Sequence, residues 1–537
     1  MWHTFRKNLA FLLPLFQWGQ IENKPSYWKK LQPAFNALVV VFFILGLSSP
    51  ALAQEKKGKL INIKNADTGH YQKKLGKNRL LGNVIMEHEG VLMYCDSAWR
   101  FAESNEIQAF ENVYINQGDT IELWGDYLEY SGNTKVATVT GEEVRLKDKK
   151  MELITDRLKY DRANNQAYYY TGGEITSDEN ILTSTQGYYN SKSKLFQFKD
   201  SVVLNNPDYV IESDTMHYNS NSRKAFFIGP TTITSDSSFI YCENGRYNTV
   251  TDIAQFEKNA YLYNDNKYLT GDSLYYEKQN EFGEAFENVL VHDTVDDYTI
   301  TGGYAQYLGR TDSTFVTYEP IYSVKQEKDT LHIHGDTLFS TKVIGDSLEE
   351  FRLIKAYHQV KFFKSDIQGK CDSLTYATLD STIRMYVDPL IWSDSSQISG
   401  DTIYLTLKND KLDSLKVYSN AFIINQIDDV KYNQIKGRKM FGKFSNNKIH
   451  RVFVNGNGQT LYFPKDKNEG FIGMNKAVCS NIIIKFKDND VSAITFLTKP
   501  EAKLHPMREA TGAESKLEGF RPRYDERPNC KAEILIW

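Results

Sequence analysis

The strongest constraint on the fold of this chain of 537 residues is a short motif that returns about every 30 residues. The motif opens on an acidic or small residue, alternates apolar positions and usually ends in tyrosine, as in Asp126–Tyr130, Asp156–Tyr160 and Asp214–Tyr218. Its copies begin at 96, 126, 156, 185, 214, 243, 272, 303, 336, 372 and 401, and two of these steps are longer than the others. Such a repeat lets a chain grow in one direction around a shared interior.

Inside each copy the side chains alternate with a period of two. Leu158 and Tyr160 fall on one face, and Arg157 and Lys159 fall on the other, which is typical of a strand with one buried face. Aromatic residues make up 13% of the chain, and they favour strands over helices. We therefore expect an all-β fold, an elongated array of short antiparallel strands with about 30 residues per repeat.

The first residues of the chain have the layout of an export signal. Basic residues precede the apolar stretch 34–47, and Ala51-Leu52-Ala53 then provides a small-residue cleavage site ahead of Gln54. The apolar stretch is shorter than the roughly 20 residues that a membrane-spanning helix needs. We expect residues 1–53 to be a signal peptide cleaved between Ala53 and Gln54, and the mature protein to be exported.

Two motifs of the array resemble those of a known family. The G-D-x-[LI]-x-Y units (Gly125–Tyr130, Gly271–Tyr276) and the F-E-N-V turns (Phe110–Val113, Phe286–Val289) are similar to those of the OstA-like, or LptA-like, proteins of the Gram-negative envelope. That family shares its fold with the periplasmic domain of the lipopolysaccharide translocon LptD. The resemblance implies two facing antiparallel sheets folded like a taco shell, with an apolar groove for the acyl chains of lipopolysaccharide and no known active site.

The resemblance also suggests how the chain is divided. It implies an OstA-like β-repeat domain over residues 54–430 and a looser continuation of the array over residues 431–500. Residues 501–537 hold three prolines and directly follow a fourth, Pro500, and we expect them to form an irregular tail. About fifteen units with two strands each, spaced by about 4.8 Å, would give a body on the order of 140 Å long.

The column of tyrosines and leucines has two interpretations. The rings can stack and fill a closed core, or they can line a groove that stays partly open for lipid; the polarity pattern is the same in both cases. Guided by the resemblance, we predict a lipid groove. Its predicted lining residues are Leu128, Tyr130, Leu158, Tyr160, Tyr189, Met216, Tyr218, Tyr247, Leu274, Tyr276, Tyr307, Leu374 and Tyr376.

Catalytic and metal sites are not indicated. Gly271–Leu274 spells the G-D-S-L signature of a lipase family, but Thr337 replaces the serine in the equivalent Gly335–Leu338, and threonine would be a poor substitute for a serine nucleophile. His332 and His334 would share a strand face without a third ligand at a suitable spacing, and we expect both to face solvent. We predict no catalytic residue, metal or cofactor.

Together with these patterns, the resemblance implies a non-enzymatic periplasmic carrier or bridge for lipopolysaccharide on its way to the outer membrane. Its expected partners are lipopolysaccharide or a related glycolipid, other sheet modules of the transport system, and further copies joined end to end. Nucleic acid is not expected, since the chain lacks a basic cluster. The alternative is a structural or adhesive β-solenoid scaffold with a filled core. Cys95, Cys242 and Cys371 each precede the first residue of a unit, and we expect them to be unpaired.

Overall fold

The computed structural model describes residues 59–537 except 119–120, 237, 265, 296, 327–328, 346–347, 409–410, 446–447, 467–469 and 488–489. The predicted signal peptide and its cleavage site, Ala53 and Gln54, lie outside the described residues. Residues 59–537 form one compact unit. Within the described ranges the fold is all-β, with 36 strands joined in one antiparallel hydrogen-bonded network, which confirms the predicted fold class. None of the helices in the described part of the chain combines the length and the apolar character needed to cross a membrane.

The first part of the array contains fifteen strands. Their bounds are β1 Asn62–Asn65, β2 Thr68–Gln72, β3 Lys77–His88, β4 Val91–Phe101, β5 Glu106–Asn116, β6 Glu122–Ser131, β7 Val136–Lys147, β8 Glu152–Asp161, β9 Gln166–Tyr169, β10 Gly173–Ser177, β11 Asn180–Ser184, β12 Gln186–Asn190, β13 Leu195–Asn206, β14 Tyr209–Asn219 and β15 Lys224–Thr234.

The remaining strands continue the antiparallel array. Their bounds are β16 Ser238–Asn248, β17 Ile253–Asn264, β18 Lys267–Glu277, β19 Phe282–Asp293, β20 Tyr298–Leu308, β21 Ser313–Thr317, β22 Ile321–Gln326, β23 Asp329–His334, β24 Thr337–Ile344, β25 Glu350–Lys364, β26 Ile367–Ala377, β27 Thr382–Tyr386, β28 Leu390–Ser393, β29 Ser396–Ser399, β30 Thr402–Lys408, β31 Lys411–Gln426, β32 Tyr432–Ser445, β33 Lys448–Tyr462, β34 Met474–Lys487, β35 Asp490–Leu497 and β36 Glu501–His505.

Most strands cross the whole sheet and bend near their middle. Each pairs with its neighbour over two stretches separated by a register shift, as between Phe110 and Val113 where β5 pairs with β6. At this point Glu111 and Asn112 both have positive φ, and the same is true of Glu287 and Asn288 in β19. The F-E-N-V segments are therefore β-bulges inside strands and not turns between strands. We call the line of these bulges the crease.

The crease explains the repeat motif. The amide of Asn112 donates a hydrogen bond of 2.7 Å to Asp96 on the neighbouring strand, and Asn288 bonds Asp272 in the same way. On the inner side of the crease space is tight, because a Cβ at Gly125 would lie 2.4 Å from Cγ1 of Val139. The motif therefore needs a small residue on the inner side of the crease and, next to it, a hydrogen-bond acceptor on the outer side. Cys95, Cys242 and Cys371 take the same inner position as Gly125 and are buried thiols without a disulfide.

The crease divides the sheet into two halves that end at opposite rims. Rim A is formed by the hairpins that join β3 to β4, β5 to β6 and every second hairpin after them. Rim B is formed by the hairpins between these, beginning with the one that joins β4 to β5. Half A and half B are the parts of the sheet between the crease and the corresponding rim.

The apolar faces of the two halves form the interior. One cluster of buried side chains runs from Ile61 to Phe227, and a second runs from Cys242 to Ile484. Ile233 and Tyr247 pack against both clusters. The interior is thus continuous along the described part of the array.

After β36 the chain turns back along the outer face of half A. Short 3₁₀ turns at Met507–Glu509, Gly512–Ser515, Tyr524–Glu526 and Lys531–Leu535 punctuate residues 506–537, which we call the strap. The strap packs on the array from β34 to β23. Leu517 of the strap joins Phe422, Ile424 and other side chains in a small outer cluster.

The strap changes the environment of the two histidines of β23. His334 is buried and His332 is half-buried, because residues 531–535 pack against this strand. The expectation that both histidines face solvent is therefore wrong. The sequence pattern placed them correctly on the outer face but did not show that the strap covers this face.

Candidate functional site

The two rims meet in the first part of the array. Arg162 on rim B donates hydrogen bonds to the carbonyl oxygens of His88 (3.0 Å) and Glu89 (2.7 Å) on rim A. Lys135 forms an ion pair of 2.7 Å with Glu89, and Tyr130 lies 2.5 Å from the His88 ring. These contacts close the two halves over the interior.

Several of the predicted groove residues lie inside this closed part. Tyr130 and Tyr160 place their rings in the core, where burial raises the pKa of both hydroxyl groups, and their hydroxyls reach the opposite rim. Leu128 and Leu158 are fully buried, and Met216 is nearly so. A space among the residues around Tyr169 and Tyr189 has a volume of only about 10 Å³, the lower limit for holding one water molecule.

The rims approach each other again near the middle of the array, where Lys267 of rim A lies 4.0 Å from Asp312 of rim B. Beyond this pair the two halves separate. A cavity of about 530 Å³ lies between them. We call this opening the mouth.

The mouth has an apolar floor with walls from both halves. Half A contributes Tyr298, Tyr322, Leu331 and Ile333, and half B contributes Ile354, Tyr376, Ile383 and Leu407, among others. A smaller adjoining space of about 60 Å³ shares Leu331, Ile383 and Leu407 with it and adds Phe362, Ile367, Leu405 and Leu412. The two spaces together form a cleft that follows the array.

Charged side chains border the mouth. Lys342 forms an ion pair of 2.5 Å with Glu350, and Arg352 forms one of 2.7 Å with Asp312. Lys325 lines the opposite wall. An apolar cleft with a charged border suits an amphiphile, whose chains enter the cleft while its polar end stays at the border.

The remaining predicted groove residues are spread over several environments. Tyr376 lines the mouth. Leu274 and Leu374 are buried in the core, and Tyr307 is 39% exposed. Tyr218, Tyr247 and Tyr276 are half-buried. A lipid-lining role for the predicted set stays a prediction.

The residues that build most of the mouth were not in the predicted set. Tyr298, Tyr322 and Ile354 do not fall in the tyrosine column of the repeat. A signal was present, however, because the two longer steps of the repeat, from 303 to 336 and from 336 to 372, fall within the part of the chain that forms the mouth. An irregularity in the repeat marks where the rims part.

The other candidate motifs have structural roles. Gly271–Leu274 lies inside β18, where Asp272 accepts a hydrogen bond from Asn288. Burial and the charge of Lys531 lower the pKa of His332, which bonds Ser323. In the described residues, no group of three or more His, Cys, Asp or Glu side chains is arranged to hold a metal ion.

Comparison with known proteins supports the resemblance seen in the motifs. A family model described as OstA-like protein matches residues 58–214, which lie in the first part of the array. A search of curated proteins gave no match. Residues 58–214 of this chain are therefore similar to the OstA-like family.

Proposed function

We propose that this protein is a non-enzymatic carrier in the periplasm that shelters the acyl chains of lipopolysaccharide, or of a related glycolipid, during transport to the outer membrane. The observation that carries the proposal is the mouth, an apolar cavity of about 530 Å³ between two rims. The family match of residues 58–214 supports it.

The chemistry that this function requires is modest. Acyl chains gain about 0.8 kcal/mol for each CH₂ group that leaves water, and the floor of the mouth offers tyrosine, leucine and isoleucine side chains for that contact. Lys325, Lys342 and Arg352 border the same cavity, where the anionic end of a glycolipid would lie. Directional movement then depends on other components, since an apolar cleft holds a chain without moving it.

The ends of the array fit docking to other sheet modules. At one end, β1 and β2 are exposed along their whole length. At the other end, Ile494 and Phe496 of β35 are half-buried and extend the interior to the last rung. Strand edges of this kind accept a further strand from a partner, so we propose sheet modules of the transport system, or a second copy, as partners.

A structural scaffold is the second candidate, and the closed part of the array favours it. There the interior is filled, with a free space of only about 10 Å³, and the rims are bonded to each other. A scaffold needs such packing along its whole length, however, and the mouth does not have it.

Photo-crosslinking in living cells separates the two functions. A photoreactive amino acid at Ile383, in the floor of the mouth, should give an adduct with lipopolysaccharide. The same residue at Leu158, which is equally part of the interior but fully buried, is the matched control and should give none. Adducts at neither position, in a protein that is folded and exported, would favour the scaffold.

A further inference from the structure

The strap is held by specific side chains of the strands beneath it. The buried amide of Gln397 donates to the carbonyl of Arg521 (2.9 Å) and accepts from the N–H of Arg523 (2.7 Å). Gln434 makes the same reciprocal pair with Ser515 and Leu517, both at 2.8 Å. Each glutamine bonds residues i and i+2 of the strap, as a neighbouring strand would, so the strap is docked in a defined register.

A third glutamine connects the strap to the mouth. The Oε1 atom of Gln368 accepts a hydrogen bond of 2.7 Å from Arg527 of the strap. The Nε2 atom of the same side chain donates to the carbonyl of Lys364 at 2.6 Å and to that of Ser365 at 3.2 Å. These residues form the hairpin of rim A, and Lys364 and Asp366 line the smaller space next to the mouth. One side chain thus joins the strap to the edge of the cleft.

The wall between strap and mouth is a single layer of strands. In β23, Leu331 and Ile333 face the cavity while His332 and His334 lie on the outer face. In β26, Ile367 lines the cleft and its neighbour Gln368 bonds the strap. Alternation along a strand makes this unavoidable, and a change on the outer face therefore acts directly on the cavity wall.

Charged contacts fix the rest of the strap to the same wall. Glu526 bonds Arg523 and forms an ion pair of 2.7 Å with Lys370, and Arg523 pairs with Asp388 at 2.7 Å. Lys361 donates to the carbonyl of Ile536 at 2.6 Å. Asp388 lies at the crease, so the strap holds half A from its rim to the crease.

We propose that residues 521–537 of the strap hold half A away from half B and so set the width of the mouth, with Gln368 as the positioning residue. Among the described contacts, those of residues 521–537 fall on β23–β32, and strands of this range supply most of the lining of the mouth. In β3–β15 the halves have no such outer support in the described residues, and the rims meet at the hairpins from β3–β4 to β8–β9. Undocking the strap would let half A close toward half B and narrow the cleft. This inference rests on the proposed function only for the identity of the ligand.

The test measures the width of the mouth without any lipid. Spin labels are placed on Lys325→Cys and Lys342→Cys, which border opposite walls, in a Cys530→Ser background, because Cys530 is the exposed thiol. The distance between the labels is compared in the full mature chain and in its Gln368→Ala variant. We expect a shorter and broader distance distribution in the variant.

Gln434→Ala is the matched control. Gln434 is as buried as Gln397 and makes two hydrogen bonds to the strap, but it lies on β32, outside the lining of the mouth. The distance between the labels should not change in this variant. Arg527→Ala removes the same link from the side of the strap and serves if Gln368→Ala does not fold.

The outcomes distinguish this inference from the proposed function. An unchanged label distance in both Gln368→Ala and Arg527→Ala would overturn it, as would an equal change in Gln434→Ala. If the inference holds, the lipopolysaccharide adduct at Ile383 should fall by at least about fivefold in Gln368→Ala, the lower end of what the loss of a buried hydrogen-bonding partner gives. If the label distance shortens in Gln368→Ala but the wild-type protein gives no lipopolysaccharide adduct at Ile383, the role of the strap is supported and lipopolysaccharide is rejected as the ligand.

Discussion

The two parts of the array share a crease but differ at their rims. In the first part the rims are tied by Arg162, Lys135 and Glu89 at the hairpins from β3–β4 to β8–β9, and the side chains around Tyr169 leave a free space of only about 10 Å³. In β20–β31 the same alternation of apolar side chains and the same bulges are present, yet the halves enclose a cavity of about 530 Å³. The inward-facing residues of the repeat are compatible with both states.

What decides between the closed and the open state lies outside the repeat motif. The crease is encoded by a small residue, an acid and a bulge with positive φ, and it occurs in both parts. Rim contacts and the strap differ between them. A repeat protein of this kind can therefore open a cleft locally by changing its rims while it keeps its core pattern.

The largest expected effect concerns packing of the core. Leu158→Ala should lower the free energy of unfolding by about 3–5 kcal/mol, because the side chain is fully buried in a filled interior. Leu405→Ala, next to the cleft, should lower it by about 2 kcal/mol, since space already adjoins that side chain. Denaturant unfolding of the two variants measures the difference, and equal losses would contradict the contrast between filled and open parts.

The crease should respond equally in both parts. A Cβ at Gly125 would lie 2.4 Å from Val139, and one at Gly400 would lie 2.4 Å from Val417, so alanine at either position should destabilise the protein by about 1–3 kcal/mol. Gly283→Ala is the control, because its nearest contact would be 3.6 Å and its effect should stay within about 0.5 kcal/mol. A clearly smaller loss at Gly400 than at Gly125 would show that the crease also differs between the parts.

Removing the contacts between the rims should open the closed part of the array so that it resembles the part with the mouth. Arg162→Met removes two hydrogen bonds to rim A and should lower stability by about 1–3 kcal/mol. Amide hydrogens near His88 and Glu89 should then exchange faster, while those of β31 should not change. If exchange near Glu89 is unaffected, the rim contacts are not what closes this part.

The strap should loosen in acid. Hydrogen bonding to Arg523 lowers the pKa of Glu526 from 4.5 to about 2. A carboxylate with a depressed pKa contributes stability above its ordinary pKa and loses it as the pH falls toward the depressed one. A spin label on Cys530 should therefore keep its mobility from neutral pH down to about 4.5 and become more mobile as the pH falls toward 2. In Glu526→Gln the mobility of the label should depend less on pH over that range.

The smallest effect concerns the reactivity of the cysteines, of which only the one in the strap should react with a thiol reagent. Burial raises the pKa of Cys95 to about 11 and that of Cys242 to about 12, and it also raises the pKa of Cys371 and Cys479. Thiols of this kind react slowly because the thiolate is the nucleophile. At neutral pH a thiol reagent should modify Cys530 alone, as intact-mass measurement would show. Rapid modification of Cys371 would mean that the strapped part opens readily.

The fold could be predicted from the sequence because its determinants are local. Alternation in Asp156–Tyr160 and the spacing of successive motifs depend on neighbouring residues and specify strands and their order. The F-E-N-V bulges were mistaken for turns, because a pair of residues with positive φ occurs in both and the sequence does not show whether the strand continues.

The mouth and the strap could be predicted only in part. Tyr376 was among the predicted groove residues, whereas Tyr298 and Tyr322 were not, since their role depends on the distance between rims that are far apart in sequence. Residues 501–537 were predicted to be an irregular tail; Glu501–His505 form β36 and the rest form the strap. The glutamine partners of the strap, Gln397 and Gln434, lie in ordinary strand patterns, and their amides gave no sign of what they bind.

The strap also changes how the protein can come apart. In a stacked array each rung touches only its neighbours, so unfolding can begin at an end and proceed one rung at a time. The strap instead joins residues that are 126 positions apart, as with Gln397 and Arg523, or 175 apart, as with Lys361 and Ile536. Strands β23–β34 should therefore open as one cooperative unit, while the closed part, despite its filled core, can fray from its first rung. The section of the array with the emptier interior is thus the one that unfolds all at once.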